Sequence, residues 1–277
     1  MTTAGLKAEA LISELGISEA NELDVDAIAM AIGVEVRYES LSGCEATLVG
    51  FDDRAIATIN PSSVRGRERF SIAHEVGHWQ LHRGRSFQCR VDAPEANLSS
   101  NTTLEKEADT FAAHLLMPAP IFLPMVKAFG EPNFQNLEKI SDELETSLMA
   151  TALRLANVNT LPVIVACYNN AGLRWSLPAG DIPRRWVLRR DLDEDSFTYD
   201  LIKLGKDCKH LGKQSADTFF ENDDAGRYEV REQCIGTHGG DALTLLYLEP
   251  KMMEAGFDFN VRRKYTDKGT YFSRTGR

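Results

Sequence analysis

The stretch RFSIAHEVGH, Arg69 to His78, constrains this chain more than any other. Ile72, Ala73, Val76 and Trp79 have the spacing of a buried helix face, yet His74, Glu75, Gly77 and His78 lie among them. Unpaired polar side chains are costly in an apolar frame. A glycine inside a helix costs about 1 kcal/mol relative to alanine. A helix over Val64 to His82 must therefore have a use for an ionisable cluster. His74 and His78 are one turn apart, about 6 Å along the axis and on one face. Two imidazoles so placed can hold one zinc ion. Glu75 borders that face and points aside, toward a water beside the ion rather than the ion itself. This is the HExxH arrangement, in which the glutamate is the general base. Gly77, lacking a side chain, permits close approach of another helix.

A catalytic zinc site takes a third protein ligand and leaves one position for water. His82 lies about 12 Å along the helix from His74, too far for the same ion, and reads as a packing or supporting group. The segment LEKEADTFAAHLLMP offers a better source. Its apolar stripe is Leu104, Ala108, Phe111, Ala112 and Leu115, and Glu105 and Asp109 form an i,i+4 pair at the edge of that stripe. Glu105 is the leading candidate ligand. Asp109 would orient a ligand histidine by accepting its other N–H. Glu107, the competitor, falls on a different face with Thr110 and His114 and reads as solvated. Two imidazoles and a carboxylate suit Zn2+, with Mn2+ as the alternative. His82 and His114 are nominal candidates for a second charge stabiliser.

The remaining sequence sets bounds. The 277 residues are 43% hydrophobic and 26% charged, ordinary globular values long enough for a full core. A net charge of −10 argues against general polyanion binding. Basic charge is local, as in the tail from Arg262 to Arg277, read as a polar terminus or an arm for an acidic partner or nucleic acid. Five cysteines without a CxxC fit reduced thiols better than a disulfide framework. No signal peptide is legible. The longest apolar stretch, FAAHLLMPAPIFLPMV, is broken by His114 and three prolines and is too short to span a bilayer. The expectation is a cytoplasmic protein with no membrane partner.

Periodicity predicts helices at Leu6–Leu15 and Val25–Ile32, the second capped by Asp24 and stopped at Gly33. It predicts a strand at VEVRYESL and a hairpin of EATLVG and RAIATIN around FDDR. Two short helices follow over Asn136–Ala156, joined near Thr146–Ser147. Beyond Leu161 the texture turns strand-like at LPVIVACY, GLRWSLP, RRWVLRR, GRYEVREQCI and ALTLLYLE. A boundary near Asn157–Thr160 would separate residues 1–157 from a smaller mixed α/β domain, with a sensory or regulatory role expected, over 161–277.

The run IATINPSS…RERFSIAHEVGHWQLH followed by EKEADTFAAHLLMP resembles the ImmA/IrrE family of metallo-endopeptidases, loosely over residues 5–157. The resemblance implies an α+β fold, a gluzincin-like protease domain. It implies His74, His78 and Glu105 as metal ligands and Glu75 as catalytic base. It suggests that the strand ending in Ile59 and Asn60 is a sheet edge onto which substrate adds. It also implies a protein substrate, a helix-turn-helix repressor whose cleavage would relieve repression of stress or mobile-element genes. The segment at about 136–157 is similar to the helix-turn-helix-like part of relatives. Its second helix carries only Arg154 as a base, while phosphate contact needs several, so a packing role is expected and direct nucleic-acid binding is not. The competing reading is a DNA-binding or ligand-sensing regulator that keeps a protease fold without cleavage.

Overall fold

A computed structural model describes residues 2–62, 64–83, 87–89, 101–206, 208, 210–237 and 239–254, with backbone alone at 87–89 and 101–102. The basic stretch from Arg262 to Arg277 lies outside the described residues. Helix α1 (Thr3–Glu14) opens on Thr2, whose hydroxyl accepts the Gly5 N–H. Asp24 caps α2 (Val25–Ala31) by accepting from the Asp26 and Ala27 N–H groups. Gly33, at φ +81° and with Asp53 O 2.9 Å from where a Cβ would stand, turns the chain into β1 (Val34–Tyr38). β2 (Ala46–Phe51) and β3 (Arg54–Ile59) form the expected hairpin, and Asp52 takes a left-handed φ of 46° at its turn. Then follow α3 (Arg65–Leu81), β4 (Phe87–Cys89) and α4 (Asn101–Leu116).

The first sheet has the order β1-β3-β2-β4, with β1 parallel to β3 and the other pairs antiparallel. This corrects one expectation. β3 lies inside the sheet, with Ile59 facing Tyr38 on one side and Ala46 on the other. The Ile59 carbonyl accepts the Glu39 N–H and the Asn60 N–H donates to Glu45 O. Ile59 and Asn60 are thus not an open edge, because the parallel pairing of β1 covers the side that the hairpin leaves free.

Pro118 ends α4 and caps α5 (Ala119–Phe129). These two helices are apolar enough together to resemble a membrane span but bend by 62° at their junction; among the described residues no single helix is long and apolar enough to cross a bilayer. α6 (Phe134–Glu143) and α7 (Leu148–Val158) meet at the expected turn, with Ser147 capping α7. Arg154 is buried and donates to Met117 O and to Glu9 and His114 side chains. Its role is internal, as the helix-turn-helix reading anticipated.

The second sheet is antiparallel throughout, in the order β6-β5-β9-β8-β7. Its strands are β5 (Val163–Asn169), β6 (Gly172–Pro178), β7 (Gly212–Ser215), β8 (Glu229–Gly236) and β9 (Ala242–Leu248), with α8 (Phe197–Leu204) between β6 and β7 and α9 (Pro250–Glu254) last. RRWVLRR forms no strand; its one ladder contact is a bridge from Leu188 to Phe220. Trp186 is instead fixed by its indole N–H on Met252 O and by the rings of Phe220 and Tyr228. Buried Glu232 and Gln233 explain two polar residues in the middle of β8. Successive strand residues face opposite ways. Gln233 accepts the Phe134 N–H at the start of α6, and Glu232 accepts the Phe197 and Thr198 N–H groups at the start of α8. The two helices therefore cover opposite faces. One hydrophobic core runs from α1 through α3, α4 and α7 into both β5 and β9.

Candidate metal centre

α3 is buried without interruption from Ser71 to Trp79, so the HExxH residues project into the interior. It packs against α4 at Gly77. A Cβ there would stand 3.2 Å from Ala108 Cα, Ala108 O and Phe111 Cβ, which is why a residue with low helix propensity occupies the middle of a core helix. This approach brings the Glu105 side chain over the two histidines. His74 Nε2 lies 3.1 Å from Glu105 Oε2, His78 Nε2 3.5 Å from the same oxygen, and the two Nε2 atoms 3.0 Å from each other. Donors about 2.0–2.1 Å from a tetrahedral ion are about 3.3 Å apart, and the three separations bracket that value. The set can hold one divalent ion. Glu105 is 38% exposed in its side chain while His78 is fully buried, so the donors open to solvent along α4.

The electrostatics match the donor roles. Burial alone would lower the His74 pKa, but hydrogen bonds to Asp109 and Glu105 and the nearby Glu75 charge raise it to about 9. Burial also works against the Glu105 carboxylate, yet its bonds to His74 and His78 hold it down to about 2. Burial dominates at His78 and lowers its pKa. The cluster thus favours a cationic His74 beside an ionised Glu105, and an ion bound by these residues would take the place of that proton.

Asp109 stands where the i,i+4 reading put it. A carboxylate only accepts, so His74 Nδ1–H donates to Asp109 Oδ1 at 2.9 Å. His82 touches the other imidazole, with its Nδ1 3.1 Å from His78 Nδ1. Glu107 is half exposed, as the solvated reading expected, and its Oε2 also lies 2.9 Å from His82 Nε2. Helix phase separates Glu107 from Glu105, but a glutamate side chain reaches the end of α3, where His82 closes the helix. His114 belongs elsewhere, between Glu9 and Arg154. Glu75 is fully buried on α3 beside His74.

Comparison with known proteins finds likeness over the segment that carries these residues. Residues 29–156 match the model of the IrrE N-terminal-like domain, a peptidase family. The chain is 26% identical over 135 residues to the radiation response metalloprotease IrrE of Deinococcus radiodurans, a stretch that covers 48% of this chain and 40% of that protein. The chain thus matches well under half the length of that relative. A solved Mycobacterium tuberculosis transcriptional regulator shares the fold with a TM-score of 0.59 and 13% identity, covering 90% of this chain and 77% of that one. Motif, geometry and family match coincide on α3 and α4, and residues 29–156 are similar to the IrrE N-terminal-like domain.

Proposed function

We propose that the chain is a zinc-dependent endopeptidase whose ion is held by His74, His78 and Glu105. The observation that carries this reading is the mutual 3.0–3.5 Å spacing of their three donor atoms. When bound, zinc supplies a Lewis acid that acidifies water and polarises a peptide carbonyl. Glu75 takes the proton from the attacking water and returns it to the leaving amine, as its buried position next to His74 suits. Asp109 holds His74 in one orientation. Two imidazoles and one carboxylate favour zinc over manganese.

The substrate class follows from the family resemblance: a helix-turn-helix repressor, cut to release stress or mobile-element genes. The name of the Deinococcus relative, a radiation response metalloprotease, supports a stress-linked role. Free thiols at Cys44, Cys167, Cys208 and Cys234 support a reducing, cytoplasmic setting. The division of labour puts catalysis in residues 1–157 and regulation in 161–277. The test is incubation of the zinc-loaded chain with the helix-turn-helix repressor encoded nearest its gene, with and without chelator. Cleavage is expected to vanish with chelator and in Glu75→Gln, which keeps its zinc because the near-isosteric amide leaves the donors in place. Near-normal turnover by zinc-loaded Glu75→Gln would remove Glu75 from the mechanism.

A further inference from the structure

Both histidines of the proposed site use only Nε2 toward the other donors, and each Nδ1 points outward to a different partner. His74 meets a carboxylate directly. His78 meets another imidazole, His82, whose far nitrogen meets Glu107. The bond directions in the second chain follow from the acceptor-only carboxylate when His82 is the neutral imidazole. Glu107 accepts, so His82 carries its proton on Nε2. A neutral His82 then has a lone pair on Nδ1, which accepts. His78 must therefore donate from Nδ1, and its Nε2 lone pair is left facing His74 and Glu105. We infer that Glu107 is a positioning residue, which through His82 locks His78 in the tautomer that can bind an ion.

Helix α4 would on this account supply three acidic groups with distinct tasks: Glu105 as donor, Asp109 as direct anchor of His74, and Glu107 as relayed anchor of His78. Burial fits the chain of contacts, since the side chain of His78 is 0% exposed, that of His82 6% and that of Glu107 50%. The relay runs from the sealed interior to the surface and gives His78 Nδ1 an anchored acceptor in His82. The inference rests on the proposed zinc site, but the hydrogen-bond chain exists without zinc and can be tested without it.

Two measurements on the full chain decide the matter. In the metal-free protein, long-range 1H–15N spectra of the imidazoles should show His82 as the Nε2–H tautomer and His78 as the Nδ1–H tautomer, and Glu107→Ala should disturb both. In zinc titrations, Glu107→Ala should weaken affinity about tenfold, the lower end for loss of such a support. Glu107→Gln should stay within about twofold of wild type, because its amide oxygen still accepts from His82. Adding Glu107→Ala to His82→Ala should cause no further loss, since the effect passes through His82. Equal losses in Glu107→Ala and Glu107→Gln would mean a charge acting through space, and would overturn the inference. An unchanged affinity in Glu107→Ala, additive losses, or the opposite tautomers would overturn it as well. Absence of zinc binding by the wild type would instead sink the zinc reading, and the tautomer spectra would still judge the relay.

Discussion

Asp109 shows how far one residue can be read and where reading stops. Its i,i+4 relation to Glu105 and the alanines beside it were enough to place it near a histidine. The structure adds which one, and through which nitrogen: His74 Nδ1. The side chain is 55% exposed and His74 keeps Glu105 as a partner, so the fold should survive Asp109→Ala. Zinc affinity should fall by about tenfold, less than in Glu105→Ala, which removes a donor outright; a loss in Asp109→Ala equal to or larger than that in Glu105→Ala would mean that Asp109 is itself a donor. Glu107 is exposed as read, but its contact with His82 went unread for a physical reason. Helical phase describes where Cβ points, whereas the reach of a glutamate across to His82 depends on how α3 and α4 are aligned, and that alignment is set by tertiary packing.

At the scale of elements, α3 and α4 are a unit defined by Gly77. The glycine was legible as a close-approach site because it opposes local propensity, and Ala108 confirmed the partner helix. Gly77→Val would put two methyl groups against the α4 backbone. Overpacking of this kind costs about 1–3 kcal/mol, so thermal denaturation should move to lower temperature and zinc affinity should fall together with it. A stable variant with unchanged affinity would show that the helices have room to part. Strand order was less legible than strand existence. The β2–β3 hairpin is local and its turn is written in FDDR, but the pairing of β1 with β3 joins segments separated by the β2 strand, and alternation carries no information about neighbours. RRWVLRR failed for a related reason: its alternation reflects Trp186 seated among Phe220 and Tyr228 rather than a ladder. Helix α8 went unread although Ser196 caps it by accepting the Tyr199 N–H, because the acidic run before it looks like loop.

At the scale of the molecule, one ion-pair cluster ties distant segments together. Glu9 on α1 accepts from Arg154 on α7, from His114 on α4 and from the Ala119 N–H that opens α5. Arginine only donates, so its contact with His114 Nε2 leaves Nδ1–H to donate to Glu9. Burial opposes the Glu9 charge, yet these bonds and the Arg154 cation hold its pKa below the ordinary 4.5. A depressed folded pKa means stability that is present above the unfolded pKa and lost as pH falls through the folded one. Glu9→Gln should cost about 3 kcal/mol at neutral pH, the low end for breaking a buried pair. The gap between wild type and variant should close as pH falls below about 4.5, as seen in unfolding titrations; a gap that stays constant with pH would deny the pairing.

The continuous core also bears on how the two halves divide. Phe134 and Gln135 bond to Gln233, and Glu131 pairs with Arg231, so a change of composition near residue 157 marks a change of architecture within one packed body. The account as a whole stands on the centre between α3 and α4. Zinc titration of the full chain and of Glu105→Ala tests it most directly. The account predicts one ion per wild-type chain and at least about tenfold weaker binding in Glu105→Ala. A wild type that binds no zinc, or a Glu105→Ala variant that binds it unchanged, would contradict it.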